Sequence, residues 1–153
     1  MIKNIGVEIQ QDVYDFLKSG KTIGLLTTYS DKGAPHLTPV STIYPKNSES
    51  ILIAMLSDTT GYKNMGWQKK VMLSILESPN MCVHIIGRSG VVRAPSRIHP
   101  SIHIAQIDVI DIIVEDTMLV AIESGIKWKH VSDETKVLYD SLMAELRECV
   151  DSV

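Results

Sequence analysis

Short segments rich in β-branched and aliphatic residues, separated by turn residues, limit the fold of this chain most strongly. Segments 21–30 and 34–44 flank Asp31, Lys32 and Gly33, where the freedom of glycine to adopt positive φ favours a hairpin. Five further strands are predicted at residues 50–56, 80–86, 91–98, 102–115 and 118–123, with turns at 45–48 and 87–90. The chain is therefore predicted to contain six to seven short antiparallel strands.

Three segments with helical periodicity lie at the start, middle and end of the chain. Residues 8–19 and 61–78 carry apolar side chains every three or four positions. The second segment ends where Pro79 disfavours a helical conformation of the residue before it. Ser132 is predicted to cap a C-terminal helix. Few helices among many strands predict a mainly β fold, an antiparallel β-barrel with flanking helices, as a single domain over residues 1–153.

Composition excludes several classes of protein. The 153 residues include 15 Lys and Arg against 18 Asp and Glu, so no basic excess is available to bind a nucleic-acid backbone. No apolar run approaches the roughly 18 residues of a membrane span, and the first residues lack a signal-peptide pattern. We therefore expect a cytoplasmic protein with no nucleic-acid and no membrane partner. Cys82 and Cys149 lie far apart without a CxxC partner and are interpreted as buried thiols.

The sequence matches no common catalytic or metal-binding motif, because each candidate segment has the wrong residue spacing or the wrong predicted secondary structure around it. Residues 19–22 (SGKT) are similar to the end of a P-loop, but the leading glycine would fall at Asp15. No GxGxxG follows a strand and no GxSxG occurs, which excludes a Rossmann site and a nucleophile elbow. His99 and His103 would lie about 13 Å apart on a strand, so they are interpreted as solvated loop residues. His84 is interpreted as a core-edge histidine, and the sequence assigns no catalytic residue and no metal ligand.

The order of the segments carries one informative resemblance. A helix leads into IGLLTT at residues 23–28, DKGAPHLTPV at 31–40, an apolar strand, a lysine-bearing loop and helix, and SPNMCV at 78–83. This order resembles the FMN-binding split-barrel family, the relatives of pyridoxamine 5'-phosphate oxidase, over almost the whole chain. The resemblance implies a six- to seven-stranded antiparallel split barrel of the FMN-binding type. It also implies a homodimer with one FMN per subunit at the interface.

The second strand of the hairpin supplies the residues expected at the polar edge of the flavin ring. Pro39 cannot donate a backbone hydrogen bond, so a ligand can approach this stretch without competing with a complete strand ladder. The alternative is an edge-strand proline with ordinary hydroxyl residues on a solvated face. The ring-edge candidates, named here the 38–42 segment, are Thr38, Pro39, Val40, Ser41 and Thr42.

The FMN phosphate needs cations and hydroxyls, best placed at a helix N-terminus. Thr60 and Lys63 enter the predicted middle helix, whereas counting back from Pro79 by the spacing that the resemblance implies points to Lys69 or Lys70 instead. All four residues are therefore candidates. The alternative for Lys69 and Lys70 is a solvated helix face.

The resemblance requires no protein acid or base, because the flavin itself carries the redox chemistry. It implies an FMN-binding oxidoreductase acting on a small molecule that the sequence does not identify. Trp128 is expected either near the ring across the dimer interface or as an ordinary core or interface anchor. The alternative function is a non-catalytic binding protein of the same fold for flavin, deazaflavin or haem.

Overall fold

The computed structural model describes residues 2–116 and 119–151, and within them eight strands form one antiparallel sheet. The elements in chain order are β1 (Ile2–Asn4), α1 (Gln11–Lys18), β2 (Gly24–Tyr29), β3 (Pro35–Val40), β4 (Ile43–Asn47), β5 (Ser50–Leu56), α2 (Thr60–Trp67), β6 (Lys70–Glu77), β7 (Met81–Arg93), β8 (Ile102–Glu115) and α3 (Asp133–Asp151). The strand order is β3-β2-β6-β7-β8-β5-β4, and β1 pairs with β8. The predicted mainly β antiparallel fold with three helices is confirmed.

The apolar residues form two cores on opposite faces of the sheet. Because side chains alternate along a strand, Ile51 and Ile53 of β5 enter the larger core while Leu52 and Ala54 enter the smaller one. The smaller core lies under α3, which begins after Ser132; the Ser132 hydroxyl accepts a hydrogen bond from the Thr135 amide at 3.2 Å, as predicted for the N-cap. No helix among the described residues is long and apolar enough to span a bilayer. The larger core includes Leu26, Leu73, Ile75, Ile85 and Ile107.

The predicted middle helix is wrong over its second half. Helix α2 ends at Trp67, and residues 70–77 form the central strand β6 instead. Val71, Leu73 and Ile75 are completely buried in the larger core, with the alternation of a strand. The helix was predicted because a short apolar segment that is buried on both faces can match the 3.6-residue period of a helix as well as the two-residue period of a strand.

The turn predicted at residues 87–90, and the return strand predicted at 91–98, are also wrong. Strand β7 runs without a turn through Gly87 and Gly90 to Arg93. A Cβ atom at Gly87 would lie 2.6 Å from the Asp108 carbonyl oxygen and would also meet Ile107. The glycine therefore permits close approach of β7 to β8 at a register shift, rather than forming a turn.

Two further strand predictions need correction. The segment predicted as one strand at 34–44 divides into β3 and β4, with the break at Ser41 and Thr42. Pro45, predicted within a turn, lies in β4 at the edge of the sheet, where its missing amide hydrogen costs nothing. The strand predicted at 118–123 is not formed at residues 119–123, and Met118 lies outside the described residues.

Candidate functional site

The five residues of the 38–42 segment line a single cavity of about 200 Å³. Residues 54–56 of β5 and Thr59 complete its walls. The break between β3 and β4 shapes this cavity, because Thr42 leaves the β3 ladder and its hydroxyl donates a 2.6 Å hydrogen bond to the Ala54 carbonyl. The predicted ring-edge residues are therefore brought together.

Thr38 lines this cavity, but its hydroxyl is turned away from it. Its Oγ1 is buried and has no hydrogen-bond partner among the described residues. It faces Gly61 of α2 so closely that a Cβ atom at position 61 would lie 2.5 Å from it. Buried hydroxyls nearly always have a partner, so Thr38 Oγ1 is an exception, and it is covered by α2 and not open to the cavity.

The start of α2 lies beside the same cavity. The Thr59 hydroxyl caps the helix by accepting a 3.3 Å hydrogen bond from the Tyr62 amide. Thr60 begins the helix and is exposed, and it lines neither this cavity nor the one described next. Asn64, on the buried face of α2, donates a 3.2 Å hydrogen bond to the Thr28 hydroxyl and fixes α2 against β2.

Lys63 and Lys69 line a second cavity of about 160 Å³, together with Tyr62, Met65 and residues of β7 and β8. The backbone of Lys69 is fixed because its carbonyl accepts hydrogen bonds from the Ser89 amide and hydroxyl, at 2.7 and 3.1 Å. Lys70 is exposed opposite Arg88 on β7 and lines neither cavity. Two of the four phosphate candidates are therefore brought together.

Strand β6 fills most of the segment between the candidate lysines and Pro79, because helix α2 ends at Trp67. Lys69 and Lys70 were predicted by counting back from Pro79 with the spacing of the family that the chain resembles, and they lie just before and at the start of β6, not in a helix. Lys63 in α2 keeps its position near the helix N-terminus.

Sequence reasoning missed a tyrosine–histidine pair beside the second cavity. The Tyr62 hydroxyl lies 2.7 Å from His103 Nδ1, and the two rings meet edge to face. Burial raises the pKa of Tyr62 above its usual value. His103 is thus half-buried on β8 rather than solvated in a loop, whereas His99 lies in a loop and its Nδ1 accepts a hydrogen bond from the Ser101 amide. Only the packing of α2 over β8 could reveal the pair.

Trp128 lies on the irregular segment before α3. Its indole Nε1 donates a 3.0 Å hydrogen bond to the Lys21 carbonyl, and its ring contacts His130 and Tyr139. It lines a cavity of about 370 Å³ to which Ser41 and Thr42 also contribute. The structure therefore places Trp128 near one end of the 38–42 segment, and Trp128 does not line the cavity of Lys63 and Lys69.

Comparisons with known proteins bear on the fold alone. No protein-family profile matches the sequence, and no curated protein matches it significantly. A candidate pyridoxamine 5'-phosphate oxidase from Lactobacillus delbrueckii superposes with a TM-score of 0.63 at 13% identity, over 72% of this chain and 98% of that one. An FMN-binding protein from Syntrophomonas wolfei gives a TM-score of 0.56 at 12% identity, over 71% and 89% of the two chains. HutZ, the haem storage protein from Vibrio cholerae, gives 0.53 at 10% identity, over 67% and 90%. The chain therefore has the split-barrel fold of these proteins, which confirms at the level of the fold the resemblance drawn from its sequence.

Proposed function

We propose that the protein is a flavoprotein that binds FMN, with the polar edge of the flavin ring on the 38–42 segment. The observation that carries this proposal is the common cavity that these five residues line beside the start of α2. The likeness in fold to an FMN-binding protein supports the same cofactor.

The phosphate would lie between the first turn of α2 and Lys63. The helix N-terminus offers amide donors and a favourable dipole for an anion, and Lys63 adds a positive charge. Lys69 is the second choice, since it shares the second cavity with Lys63. Both lysines are exposed, so their attraction for the phosphate is weakened by solvent until the ligand covers them.

The chain's own residues would bind and orient the cofactor. When bound, the flavin supplies hydride or electron transfer, which makes an oxidoreductase acting on a small molecule the proposed activity. The 38–42 segment would fix the ring edge, and the buried face of α2, tied to β2 through Asn64, would keep the phosphate end in place. The cytoplasmic location stays a prediction from the sequence.

A homodimer would complete the site. The two cavities measure about 200 and 160 Å³, whereas sites for ligands of this size usually occupy about 300 to 1,000 Å³. A second copy of the chain would supply the missing walls. Strand β8 carries apolar residues on both faces, and an exposed apolar face would suit a dimer interface. Helix α3 already covers Ile102 and Ile104, whereas Ile110 stays 53% exposed, so only the part of β8 around Ile110 supports the dimer.

The second candidate function is binding of haem by a non-catalytic protein, which the likeness in fold to HutZ supports. An absorption spectrum of the purified protein separates the two. Oxidised-flavin bands would support FMN and a Soret band would support haem. A deazaflavin would be identified by mass spectrometry of the compound released on heating.

The phosphate assignment is tested with Lys63→Ala, Lys69→Ala and Lys70→Ala, titrated by fluorescence with FMN and with riboflavin. A charge-assisted contact contributes about 1.5 to 3 kcal/mol, so losing Lys63 should weaken FMN binding about ten- to a hundredfold. Riboflavin lacks the phosphate and should bind almost unchanged. Lys70→Ala is the matched control, since Lys70 lines neither cavity. Wild-type FMN affinity in all three variants would refute the assignment, and equal losses for both ligands would indicate damage to the fold instead.

A further inference from the structure

Three potential metal ligands converge on the face of the sheet opposite the larger core. Cys82 Sγ lies 3.9 Å from His84 Nε2 and 3.5 Å from Glu115 Oε2, and His84 Nε2 lies 2.6 Å from Glu115 Oε2. The neighbouring residues Val83 and Ile85 of β7 enter the larger core, so alternation directs Cys82 and His84 together to the other face. The register between β7 and β8 then brings Glu115 alongside.

A fourth residue fixes the orientation of the imidazole. Ser74 of β6 pairs directly with His84, and its Oγ lies 2.8 Å from His84 Nδ1. With Nδ1 carrying the hydrogen and donating it to the hydroxyl, Nε2 is free to bind a metal. Histidine ligands of metals commonly have their second nitrogen fixed in this way.

The separations between the three ligand atoms suit a small tetrahedral ion. Zinc bonds of about 2.3 Å to sulfur and about 2.0 to 2.1 Å to nitrogen or oxygen place ligand atoms about 3.3 to 3.6 Å apart. The two distances from Cys82 Sγ are within a few tenths of an ångström of this range. The third distance, from His84 Nε2 to Glu115 Oε2, would have to open by about 0.7 Å, which replaces their direct contact by two bonds to the metal. The Glu115 side chain is 40% exposed and therefore has room to move.

We propose that Cys82, His84 and Glu115 bind one Zn²⁺ ion, with Ser74 as the residue that positions His84. Thiolate, imidazole and carboxylate together are ligands that zinc prefers. One thiolate and one carboxylate balance the charge of the ion, so the half-buried site is neutral when filled. Three protein ligands leave the fourth position to water, which enters from the exposed side of Glu115. The site is separate from the proposed flavin site and does not depend on it.

Zinc binding is tested on protein stripped with a chelator, by competition with a chromophoric chelator. We expect one zinc per chain, lost or weakened at least tenfold in Cys82→Ser, His84→Gln and Glu115→Gln. Ser74→Ala should weaken binding about 10- to 100-fold, as expected for a residue that orients a ligand. Cys149→Ser is the matched control, because Cys149 is the other buried thiol and lies on the face of α3 that packs into the smaller core. It should bind zinc like the wild type.

Cobalt provides a second readout, and its measurement on the wild type does not depend on whether a variant folds. Co²⁺ added to the stripped wild-type protein should give a sulfur-to-metal charge-transfer band in the near ultraviolet and the intense visible bands of a tetrahedral ion. Both should persist in Cys149→Ser, and the charge-transfer band should be absent from Cys82→Ser. Failure of the wild type to retain zinc, or a cobalt spectrum without the sulfur band, would overturn the proposal. So would wild-type zinc affinity in a folded Cys82→Ser variant.

Discussion

Replacing Gly61 by alanine tests whether α2 is as close to Thr38 as the structure indicates. Gly61 lies in the first turn of α2, where alanine is intrinsically favoured over glycine by about 0.5 to 1 kcal/mol. The new methyl group would lie 2.5 Å from Thr38 Oγ1 and 3.3 Å from both Thr38 Cβ and Met55 Cε. Carbon atoms pack best at about 3.5 to 4.0 Å, so either Thr38 or the helix would have to move by about 1 Å.

The two effects have opposite signs, and packing should dominate. Forcing an extra methyl group into a filled site typically costs about 1 to 3 kcal/mol. After subtracting the gain in helix propensity, Gly61→Ala should lower the free energy of unfolding by about 1 kcal/mol. Threonine is β-branched and rotates with difficulty, which is why the clash is not relieved by a change of rotamer.

Urea unfolding followed by circular dichroism measures this change, and two controls separate the contributions. Gly66→Ala lies in the same helix with nothing within 4 Å of the new Cβ, so it should gain about 0.5 to 1 kcal/mol. In a Thr38→Ala background the 2.5 Å contact with Oγ1 is removed and only the two contacts at 3.3 Å remain, so Gly61→Ala should become close to neutral there. The double-mutant cycle should then give a coupling energy of about 1 to 2 kcal/mol. If Gly61→Ala stabilises the protein as much as Gly66→Ala does, the inferred contact is wrong.

Two other predictions concern the anchoring of α3 and the oligomeric state. Glu145 is buried and accepts hydrogen bonds from Arg93, Ser96 and the Arg97 amide, so Glu145→Ala should lower the free energy of unfolding in urea by about 3 kcal/mol. Burial raises the pKa of Glu145, but these hydrogen bonds lower it more, to below its ordinary value of 4.5. The stabilisation by the Glu145 carboxylate should therefore be complete above pH 4.5 and disappear as the pH falls through the lower pKa of the folded state. The Glu145→Gln variant should lack this pH-dependent step. A difference in unfolding free energy between wild type and Glu145→Gln that does not change with pH would contradict the assignment. Light scattering of the wild type should give twice the chain mass of 17.0 kDa, and a clean monomer at micromolar concentration would refute the dimer.

The elements predicted correctly are those whose signals are local. Strand β5 and strand β8 have the bounds predicted from their apolar runs. The hairpin between β2 and β3 turns at Gly33, whose φ of +83° is the conformation that glycine adopts readily. In these places neighbouring residues alone decide the structure.

Prediction failed where a distant partner decides the structure. Strand β6 lies between β2 and β7 and is buried on both faces, so its apolar residues carried no clear period. Gly87 and Gly90 indicated a turn, but their effect depends on the approach of β8. The 38–42 segment was identified through Pro39, whereas Thr59 and the pair of Tyr62 and His103 come from elements that only the fold brings together.

The proposed zinc site shows most clearly why a single sequence can conceal a site. Cys82 and His84 are two positions apart, and each has an ordinary interpretation by itself, as a buried thiol and as a core-edge histidine. Ser74 and Glu115 join them only through the registers of β6 with β7 and of β7 with β8. A slip of one residue in either register would turn the side chain of Ser74 or of Glu115 to the opposite face of the sheet and separate it from Cys82 and His84. Because the same registers bury Leu73, Val83 and Ile112 in the larger core, the packing that stabilises the barrel also holds these ligands together.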